Sequence, residues 1–165
     1  MPKVLIGSDH AGFELKEKLV VFLKTLGYEV KDFGAFKYDA NDDYPDFLIP
    51  LGKEISENSD LKGIVIGGSG QGEAIVVNKF KNVRCALFYS PIIPVGVADI
   101  TGRKSTDPFE MLRLTREHND ANVLSLGARF LKDEDAFKAV QTWLEASFSG
   151  DERHVRRLKK NNEIN

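Results

Sequence analysis

Residues 64–79 read IVIGGSGQGEAIVVNK: an apolar run, then four glycines and a serine within residues 67–72, then an acid, Glu73. Glycine lets a backbone approach a ligand closely and adopt positive φ. N–H groups left free at a helix start favour negative charge, so the loop can cradle an anion. A carboxylate at that helix start should be held ionised, which a general base requires. Two plainer readings fit the same residues. The glycines could serve only a tight turn, and Glu73 could be a first-turn acid stabilising its helix by about 0.3–1 kcal/mol. The loop is not a dinucleotide fingerprint, which belongs with a first strand and an acid about 20 residues on. Nor is it a P-loop, because no Gly-Lys-Ser/Thr closes it.

The surrounding pattern says what must position this loop. Lys3 to Ser8 reads as a buried strand. Residues 12–26 follow as a helix with Leu15, Leu19, Phe22 and Leu26 on one face, ended by Gly27 in the left-handed conformation. Tyr28–Phe33, Leu61–Ile66, Val83–Phe88 and Asn122–Leu126 read as further strands. Helices are expected over Phe47–Asn58, with Pro50 in the first turn, from the loop to about Phe80, and over residues 134–148 with Phe137, Val140 and Leu144 inward. Alternation of this kind implies right-handed crossovers and a mostly parallel sheet covered by helices. Ligands of such sheets bind outside the carboxyl ends of the strands, where the glycine loop falls. Residues 90–110 hold three of the six prolines and read as a surface excursion. Residues 151–162 carry Arg153, Arg156, Arg157, Lys159 and Lys160 and read as a polar helix or tail needing a surface to rest on.

Composition narrows the class. The chain has 165 residues, 42% hydrophobic and 29% charged, enough for one soluble domain with a sizeable core. A net charge of −2 gives no reason to expect nucleic acid or an anionic membrane as partner. No apolar run approaches spanning length. Met1-Pro2-Lys3 leads directly into Val4-Leu5-Ile6 without a signal-peptide pattern. With a single cysteine, Cys85, the expectation is a reducing cytoplasm. Cys85 falls inside a strand and reads as a small core residue. Three histidines and scattered acids show no metal-ligand spacing, so no metal is expected.

Five motifs then occur in order: GSDHAGFELK, DYPDF, GIVIGGSGQGEAIVVNK, REHNDANVLSLGAR and RHVRRL. Together they resemble the ribose-5-phosphate isomerase B family, which also includes galactose-6-phosphate isomerase subunits. The resemblance spans nearly the whole chain except residues 90–110. It implies a three-layer α/β/α Rossmann-like fold with a mostly parallel five-stranded sheet, forming one domain over residues 1–150. The tail, 151–165, would dock on a partner chain or close the phosphate site. No metal or nucleotide cofactor is implied. The family works as dimers or assemblies of dimers, with an active site shared between two chains. Many members place a cysteine base where this chain has Gly67. A second branch uses a glutamate just after the loop, and Glu73 puts this chain in that branch.

The implied chemistry is aldose–ketose isomerisation, most simply between ribose 5-phosphate and ribulose 5-phosphate. Glu73 would move the proton between C2 and C1. Ser69, with the N–H groups of Gly70 and Gly72, would hold the developing oxyanion, and Gly68 is assigned to substrate binding. Asp9 and His118 would open the sugar ring, with His118 and Asn119 entering from the partner chain. His10 is assigned to substrate binding. Tyr44 either lines the sugar pocket or packs in a turn. Arg129, Arg153, His154 and Arg157 would bind the phosphate, Arg129 in the neighbouring chain's site. Without the resemblance, His118 would read as a surface or capping residue and the basic tail as a solvated helix face. Two alternatives stand beside this reading: an isomerase of a four- or six-carbon sugar phosphate, motivated by residues 90–110, and a non-catalytic sugar-phosphate-binding protein.

Overall fold

In the computed structural model, which describes residues 1–164, strands and helices alternate along the chain. The last position of the expected tail, Asn165, lies outside the described residues. The order is β1 (Lys3–Ser8), α1 (Phe13–Thr25), β2 (Glu29–Asp32), α2 (Tyr44–Glu57), β3 (Lys62–Gly67), α3 (Gln71–Val77), β4 (Cys85–Phe88), α4 (Glu110–Asn119), β5 (Val123–Gly127), α5 (Asp133–Glu145) and α6 (Glu152–Asn162). The strands form one sheet in the order β2-β1-β3-β5-β4. Every pairing is parallel, with Ile6 opposite Ile64 and Ile64 opposite Leu124.

The apolar runs of β1, β3 and β5 sit centrally because both sheet faces are covered, as parallel strands require. Successive residues point to opposite faces. Val4, Ile6, Ile64, Ile66 and Leu124 meet α1, α4 and α5 through Leu15, Leu19, Leu112, Val140 and Trp143. Leu5, Val65 and Val123 meet α2 and α3 through Leu48, Leu51, Ile55 and Val77. These are the three layers the sequence implies. Among the described residues, no helix is long and apolar enough to cross a membrane.

Several local expectations change. The buried stripe of α1 runs through Leu15, Lys16, Leu19 and Leu23, not Leu26, which caps the helix and stays exposed. Lys16 is buried because its ammonium reaches Asp32 at 2.5 Å and Glu17 at 2.7 Å. Gly27 does end this helix, at φ +85°. Helix α2 starts three residues early, and Pro45 rather than Pro50 occupies its first turn. Pro50 lies inside the helix on an exposed face. Helix α4 falls where no helix was expected. Its only fully buried aliphatic is Leu112, so its apolar signal is thin. What fixes it is polar: Arg116 bonds Asp120 and the Ala121 carbonyl and lies over Trp143, 5.8 Å from its ring centroid.

The excursion between β4 and α4 has no regular structure, but it is braced. Arg103 pairs with Asp99 at 2.9 Å and with Glu110 and Glu117 at 2.8 Å each. Helix α6 packs on α4 of its own chain. The Ser149 N–H donates to the Glu117 carbonyl just before α6 begins.

Candidate active site

Strands β1 and β3 are neighbours whose following connections leave toward opposite sides of the sheet, so a crevice opens at their carboxyl ends. Loops after β1, β3 and β5 meet there. They enclose a cavity of about 370 Å³ lined by Asp9, His10, Ala11, Tyr44, Gly68, Ser69, Gly72, Glu73, Arg129 and Phe130.

The glycine loop turns from β3 into α3 at Gly70, whose φ of +72° explains the residue type. Gly70 is buried beneath the loop against Leu87 and Ser125, and the Ser125 hydroxyl donates to its carbonyl at 2.7 Å. It therefore shapes the turn and does not line the cavity, as a substrate-contacting Gly70 would. Ser69 does line it, and its Oγ accepts the Gln71 N–H at 3.3 Å. A Cβ on Gly72 would come within 2.7 Å of the Tyr44 ring, so Tyr44 closes over the loop as a cavity wall.

Glu73 is only 4% exposed although it sits in the first turn of a helix. Its carboxylate occupies the space a side chain at position 67 would fill: a Cβ on Gly67 would overlap it. A side-chain base at position 67 and a carboxylate base from position 73 thus compete for one volume, and this chain has only the second. The electrostatics differ from the helix-start expectation. Burial pushes the Glu73 carboxyl above its ordinary value, its own backbone N–H pulls it down, and Asp9 pushes it up again. Desolvation outweighs the start of a helix only seven residues long.

Asp9 follows β1 and is 7% exposed. Its Oδ1 accepts the N–H groups of Ala11 at 2.9 Å and Gly12 at 3.4 Å, which fixes the carboxylate. His10 Nδ1 lies 2.7 Å from Asp42 Oδ1 and 3.8 Å from Asp9 Oδ2. The Asp42 bond raises the His10 pKa, with Asp9 adding to it and burial opposing. Asp42 was missed in the sequence, where it is one of several acids in a turn-rich stretch. Only the fold brings it to His10. Asp9, His10 and Asp42 are the one trio of potential metal ligands among the described residues. Here the imidazole serves as their common partner.

Arg129 lines this chain's own cavity. Its N–H donates to the Gly68 carbonyl at 3.1 Å, and its guanidinium lies over Gly68. Phe130, also missed, stands edge-on to Tyr89 with centroids 5.4 Å apart. The Tyr89 hydroxyl in turn meets the Gln71 amide.

His118, Asn119, Arg153, His154 and Arg157 do not reach this cavity. They lie on α4 and α6. Asn119 lines a separate groove of about 410 Å³ between the β4 edge and α6. The His118 and His154 rings are stacked, 4.2 Å apart at 10°. Cys85 begins the edge strand β4 half-buried, and burial pushes its thiol pKa up, so it is not a poised nucleophile. Asn78 pins it by exchanging two hydrogen bonds with its backbone.

A parallel α/β sheet with a dry carboxylate beside a glycine loop at its switch point defines an enzyme-like proton-transfer site on a small anionic ligand. Comparison sharpens the class. The chain matches the Ribose/Galactose Isomerase family over residues 4–93 and 104–161, and it belongs to that family. It is 38% identical to the ribose-5-phosphate isomerase B of Mycolicibacterium paratuberculosis, over 94% of this chain and 87% of that one. The crystal structure of ribose-5-phosphate isomerase B from Mycoplasma genitalium with bound ribulose-5-phosphate superposes with a TM-score of 0.83 at 37% identity, covering 98% of this chain and 94% of that one. The Clostridium thermocellum enzyme gives 0.82 at 39% identity, over 98% and 96%.

Proposed function

We propose that this chain interconverts ribose 5-phosphate and ribulose 5-phosphate through a cis-enediolate, with Glu73 as the base. The observation that carries the reading is the buried carboxylate of Glu73, set in the space left by Gly67 and beside Ser69 in one cavity. A base that must also return its proton works best with a pKa drawn toward the working pH, and burial moves Glu73 that way.

The reading gives each group one step. Ring opening breaks the bond between C1 and the ring oxygen: one proton leaves the anomeric hydroxyl and one arrives at the ring oxygen. Asp9 and His118 exchange these protons. Glu73 then takes the proton from C2 and delivers it to C1, the hydroxyl proton on O2 passes to O1, and Ser69 with the N–H groups of the loop holds the enediolate oxygen meanwhile. Tyr44 and His10 shape the sugar pocket. Arg129, Arg153 and Arg157 neutralise the phosphate, the arginine fork bonding two oxygens at once.

His118 and Asn119 lie away from the cavity of their own chain, which supports a homodimer, or a dimer of dimers, in which each site borrows them and the α6 arginines from the partner. The basic tail beyond residue 150 is then the docking segment. The cytoplasm is the proposed compartment.

Glu73→Gln tests the reading. Turnover of ribose 5-phosphate should fall by about 10²–10⁴-fold, the usual weight of a general base, while the sugar phosphate still binds. Full turnover in this variant would refute it. One observation favours a second substrate. Residues 94–103 fall outside the family match, and the segment that holds them begins next to Tyr89, which braces the cavity residue Phe130. A panel of four-, five- and six-carbon sugar phosphates decides between substrates. Binding without turnover across the panel would indicate a sugar-phosphate sensor.

A further inference from the structure

His154 sits beside Arg153 and Arg157 in the basic motif, yet its surroundings differ from theirs. It is 4% exposed, while Arg157 is exposed and Arg153 half-buried. Its ring lies flat against His118, with centroids 4.2 Å apart and planes 10° from parallel. Asp151 Oδ2 lies 3.9 Å from Nε2. The stack is held in register from both sides. The Arg116 Nε–H donates to the Ala146 carbonyl at 3.3 Å and the Ser149 N–H to the Glu117 carbonyl at 3.0 Å. These bonds pin the segment between α5 and α6 to the two residues preceding His118. The His154 N–H donates to the Asp151 carbonyl at 2.8 Å, fixing the first turn of α6.

We propose that His154 is a positioning residue that orients the His118 imidazole for ring opening, and is not a ligand of the substrate phosphate. The role rests on the reading of His118 given above. A phosphate ligand must present an N–H to solvent, and this ring is covered. A ring-opening imidazole must hold one orientation while it gives and takes a proton, and a flat neighbour removes its rotational freedom. Burial lowers the His154 pKa, and His118 and Arg153 lower it further. Both effects disfavour a charge on the ring stacked against His118.

The test separates ring opening from proton transfer between carbons. Ribulose 5-phosphate is open-chain and cannot close a furanose ring, so exchange of its C1 proton in heavy water needs Glu73 but not His118. In His154→Ala, turnover of ribose 5-phosphate should drop by about 10–100-fold in kcat with KM within about twofold, the signature of a lost transition-state arrangement. C1 exchange, followed by NMR, should stay near the wild-type rate. His154→Phe, which restores a flat ring without a proton, should recover most of the turnover. A KM raised about tenfold with kcat intact would make His154 a phosphate ligand and overturn the proposal. So would failure of His154→Phe to rescue, or exchange falling in step with turnover. A wild-type protein that neither turns over nor exchanges would overturn the proposed reaction and this role with it. A wild type that does both, with the variant pattern reversed, would overturn the role alone.

Discussion

At the carboxyl edge of the sheet, Asp9 and Glu73 are drawn into a half-dry cavity with His10 and Arg129, and Asp42 backs His10 from beside it. At the corner where α6 lies on α4, the balance inverts. Arg153, Arg156, Arg157, Lys159 and Lys160 share one helix, and α6 buries little beyond His154. The first region is held by strand ends and backbone hydrogen bonds, which fix atoms closely enough for proton transfer. The second is wet and held by few contacts, which suits charge neutralisation. On the proposed reading a phosphorylated sugar requires both, and on one chain they point to different places. On the same reading the division is by rigidity: proton transfer between carbons falls where the backbone is pinned, and the α6 arginines, which extend from a helix, bind.

The largest effect should come from Gly67→Ala. The added methyl meets the mobile end of the Glu73 side chain rather than backbone, so the carboxylate swings away and the fold survives. Turnover should fall about 10²–10⁴-fold, as if the base were lost, with the thermal midpoint nearly unchanged. Normal turnover would show that the cavity does not depend on that carboxylate.

Next is Arg157→Ala at the corner. A lost charge-assisted bond of about 1.5–3 kcal/mol corresponds to a KM raised roughly 10–100-fold, with kcat conserved. A fall in kcat at constant KM in this variant would break the contrast by giving Arg157 a part in the chemistry and not in binding.

Smaller effects lie in pH. Because burial raises the Glu73 pKa, the acid limb of kcat/KM should fall away at a pH above the ordinary carboxyl value of about 4.3. A limb at the ordinary value would mean the base is solvated. The same shift has a stability sign. Glu73 binds its proton more tightly folded than unfolded, so its contribution is present at low pH and is lost as pH rises through the folded value. Glu73→Gln escapes that loss. Its melting temperature relative to the wild type should therefore rise between pH 4 and neutrality, and a flat difference would contradict the burial argument.

The arginines show how much of the site could be read from sequence. Arg153 and Arg157 are recognisable as a pair four residues apart on one helix face, because helix periodicity is local. Arg129 follows a strand, and its residue type gives no sign of whether it faces its own cavity or a partner's. The bond from its backbone N–H to the Gly68 carbonyl, 61 positions earlier in the chain, holds it at the cavity of its own chain. Asp42 was hidden for the same reason: its partner, His10, is 32 residues away. Helix α4 was missed because polar contacts to Trp143 and Asp120, not an apolar stripe, hold it.

Strand and helix alternation, the glycine turn and the order of motifs follow from short-range rules of backbone preference and hydrophobic period, so the amino-acid order alone determined the layered sheet and the edge at which the glycine loop falls. Only tertiary structure decided that Glu73 is harder to ionise than a helix start suggests, that Gly67 vacates room for it, and that His154 faces a histidine rather than solvent. Those properties depend on desolvation and steric exclusion, which arise only when distant segments are packed against one another.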